Sequence, residues 1–74
     1  MTAPRLLRIS GALAEASPLR GASLYELARV GRSGLLAEVV RIDGDRGTLQ
    51  VYEETSGLMV GEPVVLTGAA LSLE

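Results

Sequence analysis

The feature that most constrains the fold is a pair of apolar runs separated by a tight turn that contains glycine. The first run covers residues 35–42, the second covers residues 48–53, and the sequence DGDRG lies between them. An Asp-Gly pair readily adopts the positive φ angles that a short hairpin turn requires. In the second run polar and apolar residues alternate, which places Leu49 and Val51 on one face. This region therefore predicts a β-hairpin.

Shorter runs between glycine and proline residues predict the remaining strands. These predicted strands lie at residues 5–10, 12–16, 24–30, 63–67 and 71–73. We expect Leu7 and Ile9 to share the face of the first, Gly31–Gly34 to form a hairpin connection, and Gly68 to end the strand that starts at Pro63. About six or seven short strands are typical of an all-β sandwich or small closed barrel. A barrel is favoured because closure leaves no free edges in so small a domain.

Composition narrows the class of protein. The chain has 74 residues, enough for one domain, and contains nine Asp and Glu, seven Arg, and no Lys, His or Cys. Disulfides and thiolate or imidazole metal sites are excluded. The net charge of −2 and the two tyrosines argue against a nucleic-acid partner. No apolar run approaches the roughly 20 residues of a membrane span, so we expect a soluble cytoplasmic domain without membrane insertion.

Three carboxylates, Glu53, Glu54 and Glu62, lie within ten residues of one another. One interpretation is a site for a hard cation or a general acid–base pair. The spacing does not match a calcium loop, and we favour solvated turn carboxylates. Thr55 and Ser56 are expected to brace the turn through side-chain to backbone hydrogen bonds. We therefore predict no catalytic residue and no metal site.

The nine glycines do not form a nucleotide-binding loop. A P-loop needs a Gly-Lys-Ser or Gly-Lys-Thr ending, and this chain has no lysine. No Gly-x-Gly-x-x-Gly fingerprint lies between a strand and a helix, so the glycines are interpreted as turn residues and no cofactor is expected.

The run from Leu35 to Ile42 is apolar on both faces. An isolated small barrel would leave one of these faces exposed, and exposed apolar surface often marks a partner site. We therefore predict an interface that contains Leu36, Val40 and Ile42.

An ordered series of residues in the second half of the chain identifies a family. The series is Gln50, Tyr52, Glu53, Glu54, Thr55, Ser56, Gly57, Gly61, Glu62 and Pro63. It resembles the N-terminal barrel domain of the catalytic A subunit, or alpha chain, of V-type and archaeal A-type rotary ATPases. The related B subunits typically carry Phe where Tyr52 stands and Gly where Glu54 stands, which favours the catalytic type. The chain departs from the family at residues 12–14, where many members carry Pro and Val, and at residues 69–70, where Pro is common.

The resemblance implies a closed six-stranded barrel with Greek-key-like connections. In that family six barrels, from alternating A and B subunits, form a crown that holds a hexamer together. ATP and Mg²⁺ bind in the next domain. Residues 1–74 are therefore expected to be an N-terminal domain cut before the nucleotide-binding domain. It would have no enzymatic activity of its own, although its parent would be an ATP synthase or hydrolase in a peripheral membrane complex.

A second function remains open from the residues themselves, namely a free-standing small barrel that binds a protein or a ligand. A reading frame that continues into a P-loop would favour the role in a rotary ATPase, and a natural stop codon after residue 74 would favour the free-standing module. A compact enzyme is disfavoured because the chain has no His, Lys or Cys.

Overall fold

The predicted central hairpin is present in the computed structural model, which describes residues 3–70. Strand β4 (Leu35–Asp43) pairs with β5 (Arg46–Val51), and Asp43 lies opposite Arg46. The turn therefore contains only Gly44 and Asp45. Gly44 has a φ of +66°, the left-handed conformation that glycine adopts without steric cost.

The other described strands complete one antiparallel sheet. They are β1 (Arg5–Ser10), β2 (Leu13–Ser17), β3 (Glu26–Val30) and β6 (Val64–Ala70). The strand order is β1-β2-β5-β4-β3-β6. Three successive strands, β3 to β5, are joined by hairpins, and β6 returns to lie beside β3, which is a Greek-key arrangement. The all-β prediction is confirmed, and the predicted strand at residues 71–73 lies outside the described residues.

The two ends of the sheet meet along a short seam. Arg5 of β1 forms an isolated bridge with Pro63, just before β6. The Leu6 N–H donates to the Glu62 carbonyl at 2.9 Å, and the Gly61 N–H donates to the Leu6 carbonyl at 2.8 Å. Within residues 3–70 no continuous ladder joins β1 to β6. The structure thus confirms a six-stranded antiparallel sheet, while the predicted closure of the barrel is represented by these bonds and by the Val64 N–H, which donates to the Pro4 carbonyl at 3.1 Å.

Small side chains fill the inside of the curved sheet. The buried core residues are Leu6, Ala14, Ala16, Leu19, Ala28, Val30, Ala37, Val39, Leu49, Val51 and Val64. The alanines among them lie on three different strands, which suits the narrow interior of a small barrel. Leu19, from the loop after β2, covers one end, where its N–H donates to the Asp45 carbonyl at 2.6 Å.

Two predicted details of the strands are wrong. In β1 the register shifts between Leu6 and Arg8, so that Leu6 faces the core and Leu7 is exposed. This bulge adds one residue to the strand, so that Leu7 does not share a face with Ile9, which packs against the core. In β6 the strand continues through Gly68 to Ala70 rather than ending at Gly68.

No helix in the described part of the chain has the length and apolarity of a membrane span.

The core assignment predicts a large difference between two leucines that lie on opposite faces of the sheet. Leu49 is fully buried and Leu13 is exposed. Leu49→Ala should lower the free energy of unfolding by about 2–5 kcal/mol, because it leaves a cavity, and Leu13→Ala by less than about 1 kcal/mol. Urea denaturation of the two variants and the parent chain measures both values. Equal losses would contradict the assignment of the inner face.

Candidate functional site: the hairpin end around Tyr52

Pairing between β4 and β5 continues one residue beyond the two strands, because the Glu53 side chain replaces a backbone acceptor. Ala37 and Val51 form the last regular pair. Beyond them the Tyr52 N–H donates to the Leu36 carbonyl at 2.9 Å, and the Leu36 N–H donates to the Glu53 carboxylate at 2.6 Å. Glu53 therefore takes the place of a backbone acceptor and holds the chain where it leaves the sheet.

Tyr52 lies on the outer face of this hairpin, and its side chain is exposed. Glu38 pairs with Gln50, so Glu38 and Tyr52 are diagonal neighbours across the two strands. The Tyr52 phenol donates a hydrogen bond to the Glu38 carboxylate. This hydrogen bond is the main cause that raises the pKa of Tyr52 above its ordinary value of 10.0, and partial desolvation and the charge of Glu38 add to the rise. We call Leu36, Glu38, Tyr52 and Glu53 the Tyr52 surface.

The segment after Tyr52 crosses the end of the sheet and is fastened to a distant turn. The Thr55 hydroxyl donates to the Gly11 carbonyl at 3.0 Å. One residue further on, the Ala12 carbonyl accepts a hydrogen bond from the Val51 N–H at 2.7 Å. Thr55 thus makes a side-chain to backbone bond, as expected, although it braces the β1–β2 turn rather than its own. Glu54 and Ser56 are exposed.

Glu62 is not the solvated turn carboxylate that the sequence suggested. Glu62 is buried, with only 8% of its surface exposed to solvent. One carboxylate oxygen accepts the Arg32 N–H at 2.8 Å, and the other accepts the Met59 N–H at 3.0 Å. Glu62 therefore ties the β3–β4 turn to the loop before β6. The prediction failed because Arg32 is thirty residues away in sequence and no local pattern indicates the contact.

Glu26 is a second buried carboxylate, and the sequence reasoning missed it. It is 6% exposed and accepts the Ser23 N–H at 3.0 Å and the Gly68 N–H at 2.7 Å. One signal was available, because Glu26 lies two and four residues before the core residues Ala28 and Val30. That spacing places all three side chains on the inner face of a strand.

The structure places the three predicted interface residues in two different environments. Leu36 and Val40 are half-buried and lie outside the core cluster. Ile42 instead packs against the core, because the register of β4 shifts between Val39 and Arg41 and Ile42 then lies opposite Gly47. A shared outer face therefore contains Leu36 and Val40 but not Ile42. Their contact with a partner stays a prediction.

The acidic groups and the surface recesses of the described residues are the remaining candidates for a metal or ligand site. Among residues 3–70 no group of three acidic side chains is placed to hold a metal. Two shallow recesses of about 210 Å³ each lie on the outer face of the sheet, and both are lined by Glu15 and Thr48. Arg41 and Arg46 also line the first, and Arg8 also lines the second. A third, of about 90 Å³, lies beside Glu62. These volumes fall below the roughly 300–1,000 Å³ of typical ligand pockets.

Comparisons with known proteins agree with this fold. Residues 6–68 match the family model for the beta-barrel domain of the ATP synthase alpha/beta family. The chain belongs to this family. It is 51% identical to the A subunit of the A-type ATP synthase of Pyrococcus horikoshii over 70 residues, which is 95% of this chain and 7% of that protein. It is 50% identical to the corresponding A subunit of Thermococcus onnurineus, again over 95% of this chain and over 12% of that protein.

A solved structure shares the same architecture. The assembled ATPase EscN of the enteropathogenic E. coli type III secretion system superposes with a TM-score of 0.78 and 29% identity, covering 88% of this chain and 16% of that one. In all three of these proteins the matching region is a small part of a longer chain.

The buried carboxylate of Glu62 predicts a graded loss of stability. Glu62→Ala leaves two backbone N–H groups without their acceptor, each at a cost of about 1–3 kcal/mol. Glu62→Gln should cost less, because the amide oxygen still accepts one of the two bonds. Glu54→Ala, at an exposed position, is the matched control and should change little. Urea denaturation compares the variants, and equal stability of the Glu62 and Glu54 variants would contradict the bonds described.

The Tyr52–Glu38 bond predicts a dependence on alkaline pH. A folded-state pKa above 10.0 means that folded Tyr52 keeps its proton while the unfolded chain begins to lose it. The contribution to stability is therefore complete below that value and is lost as the pH rises through the folded-state pKa. Ultraviolet absorbance of tyrosinate in a Tyr25→Phe background reports Tyr52 alone.

The Glu38→Ala variant in this background should lower the pKa of Tyr52 toward 10.0, whereas Glu54→Ala should leave it unchanged. If both variants titrate like the parent chain, the phenol does not donate to Glu38 in solution.

Proposed function

We propose that this chain is the N-terminal barrel domain of the catalytic A subunit of an A-type rotary ATPase, and that it supplies contacts between subunits rather than chemistry. The observation that carries the proposal is the 51% identity, across 95% of the chain, to the A subunit of an A-type ATP synthase. Identity at this level over an entire domain supports a shared role as well as a shared fold. In this proposal ATP and Mg²⁺ bind to another part of the parent protein.

The side chains of the domain support a structural role. The chain has no Lys, His or Cys, the usual activators of a hydroxyl or a thiol. Two of its carboxylates, Glu26 and Glu62, accept backbone N–H bonds in buried positions. Glu53 likewise serves the backbone of Leu36. These acidic groups hold the fold together, and we assign none of them to a reaction.

We further propose that the sheet closes into a barrel in the assembled protein. The bonds between β1 and residues 61–64 support closure, as does the Val64 N–H that donates to the Pro4 carbonyl at 3.1 Å. Closure would remove the exposed edges of β1 and β6, which are otherwise open to unwanted strand pairing.

The proposed partners are B subunits that alternate with A subunits in a hexamer. The assembled state named for the EscN structure supports a multi-subunit arrangement for this type of domain. The Tyr52 surface, which includes Leu36, and the half-buried Val40 offer aromatic and apolar area for such a contact. A cytoplasmic location at the periphery of a membrane complex follows from the same proposal. Relatives that carry the domain within longer chains favour this role over a free-standing module.

Calorimetry tests the absence of chemistry. Titration of Mg-ATP into the folded 74-residue chain should give no saturable heat, because the recesses in the described part are small and lined by both acidic and basic groups. The full-length parent protein, prepared in parallel, is the positive control and should bind. Saturable binding to the 74-residue chain alone would overturn the proposal that the domain serves only for contacts.

A further inference from the structure

Strand β6 contains a large bulge close to its last described residue. Between the pairs that Leu66 and Ala70 form with β3, the single residue Leu27 lies opposite three residues of β6, which are residues 67–69. Over this short stretch β6 therefore has two more residues than its partner. A bulge bends the strand that contains it and increases its twist. The chain is thus bent directly before Ala70, where the described part of β6 ends.

Side chains satisfy the backbone N–H groups of this bulge. The Gly68 N–H donates to the Glu26 carboxylate at 2.7 Å, and the Ala69 N–H donates to the Thr67 hydroxyl at 3.2 Å. The same hydroxyl donates to the Leu27 carbonyl at 2.7 Å. Gly68 has a φ of +78°, and a Cβ atom there would meet nothing within 4 Å, so its backbone conformation rather than crowding favours glycine. Specific hydrogen bonds therefore fix the shape of the bulge.

Glu26 is itself held by the turn that precedes β3. Its other carboxylate oxygen accepts the Ser23 N–H at 3.0 Å, and its own N–H donates to the Ser23 carbonyl at 3.1 Å. In this turn Tyr25 has a φ of +68°, which is costly for a residue with a Cβ atom, and its N–H donates to the Val39 carbonyl at 2.6 Å. The Glu26 carboxylate is buried and both of its oxygens are engaged. It therefore joins a rigid turn to the bulge.

The path of the chain after Leu66 depends on few contacts. Within residues 3–70, β6 pairs with β3 alone. The bond from the Val64 N–H to the Pro4 carbonyl lies at the start of β6, before the bulge. The bonds of Glu26 and Thr67 consequently determine how the strand is bent where it leaves β3. We call these two residues the exit clamp.

We propose that the two residues of the exit clamp are positioning residues, which fix the direction in which the parent chain leaves the barrel and so orient the barrel relative to the part that binds ATP and Mg²⁺. This inference rests on the proposed function, in which the barrel is one domain of a longer chain, as in the A subunits of which this chain covers 7% and 12%. A small rotation at the exit displaces atoms far from it by a large distance. The exit clamp has no contact with ATP in this proposal and acts only through the backbone.

Hydrogen exchange in the full-length parent protein tests the bonds of the exit clamp. Glu26→Ala removes the acceptor of two N–H groups, and Thr67→Val removes the hydroxyl but keeps the shape of the side chain. Glu62→Ala is the matched control, because Glu62 is also buried and also accepts two backbone N–H groups, at a position before β6. The two clamp variants should accelerate exchange at residues 67–69 by about tenfold, and the control variant should not. Thr67→Ser, which retains the hydroxyl, should exchange like the unaltered protein.

The distance between two spin labels tests the orientation. One label is attached at Gln50→Cys, an exposed position, and the other in the ATP-binding part of the parent protein, in a background without other cysteines. Pulsed electron paramagnetic resonance should give a distance distribution about twofold wider for Glu26→Ala and Thr67→Val, because the exit has lost bonds that fix it. Glu62→Ala should keep the original width even if its thermal midpoint falls as far as that of Glu26→Ala. Thr67→Val decides the test if circular dichroism shows that Glu26→Ala does not fold.

Two results would overturn the inference and leave the proposed function intact, provided that the full-length protein binds Mg-ATP. The first is an unchanged distance distribution in Thr67→Val although exchange at residues 67–69 has become faster. The second is equal widening by Glu26→Ala and Glu62→Ala, which would assign the effect to a general loss of stability. A full-length protein that does not bind Mg-ATP would instead defeat the proposed function, and the inference with it.

Discussion

The position of β6, and with it the seam, depends on two buried carboxylates that accept backbone N–H groups. Glu62 binds the β3–β4 turn to the loop before β6, and Glu26 binds the start of β3 to Gly68 inside β6. A carboxylate without hydrogen bonds would be costly to bury, so each position is tolerated only because two N–H groups converge on it. Both ends of β6 are thereby attached to β3 and its turn. Hydrogen bonds of Leu6 to residues 61 and 62 hold the loop with the exposed Met59 and Val60 against β1.

The narrow interior of the curved sheet is a second constraint on the fold, because it limits the size of the core side chains. Alanines at Ala14, Ala16, Ala28 and Ala37 let the strands curve closely around Leu49 and Val39, and a single loop leucine, Leu19, covers one end. A core this small leaves little excess stability, so a domain of this size benefits from contact with neighbours. That need agrees with the proposed role of the domain in contacts between subunits. The same physical limit therefore connects the packing of the core to the proposed function.

Local patterns predicted the parts of the fold whose partners are close in sequence. The β4–β5 hairpin follows from the DGDRG turn and from the alternation around Leu49 and Val51. The Gly31–Gly34 connection follows from its glycines. The predictions failed where a bulge changed the alternation: Leu7 is exposed although Leu6 is buried, and Ile42 turned toward the core. A bulge is set by the pairing of two strands, so one strand's sequence does not reveal it. The candidate site was also predicted only in part. Tyr52 and Glu53 lie at the end of a predicted strand. The burial of Glu62 depends instead on a turn thirty residues away, which the local sequence does not indicate.

The sequence by itself determined the family, the all-β class and the absence of lysine, histidine and cysteine from any site, because these depend only on residue identity and short spacing. Tertiary structure alone decided which glutamates are buried, which face of each strand meets the core and which residues lie opposite each charge. Arg29 of β3 lies opposite Val65 of β6, and Arg8 of β1 lies opposite Glu15 of β2, although each pair is separated in sequence. Strand order is a property of the folded chain, and the neighbours of each charged residue follow from that order.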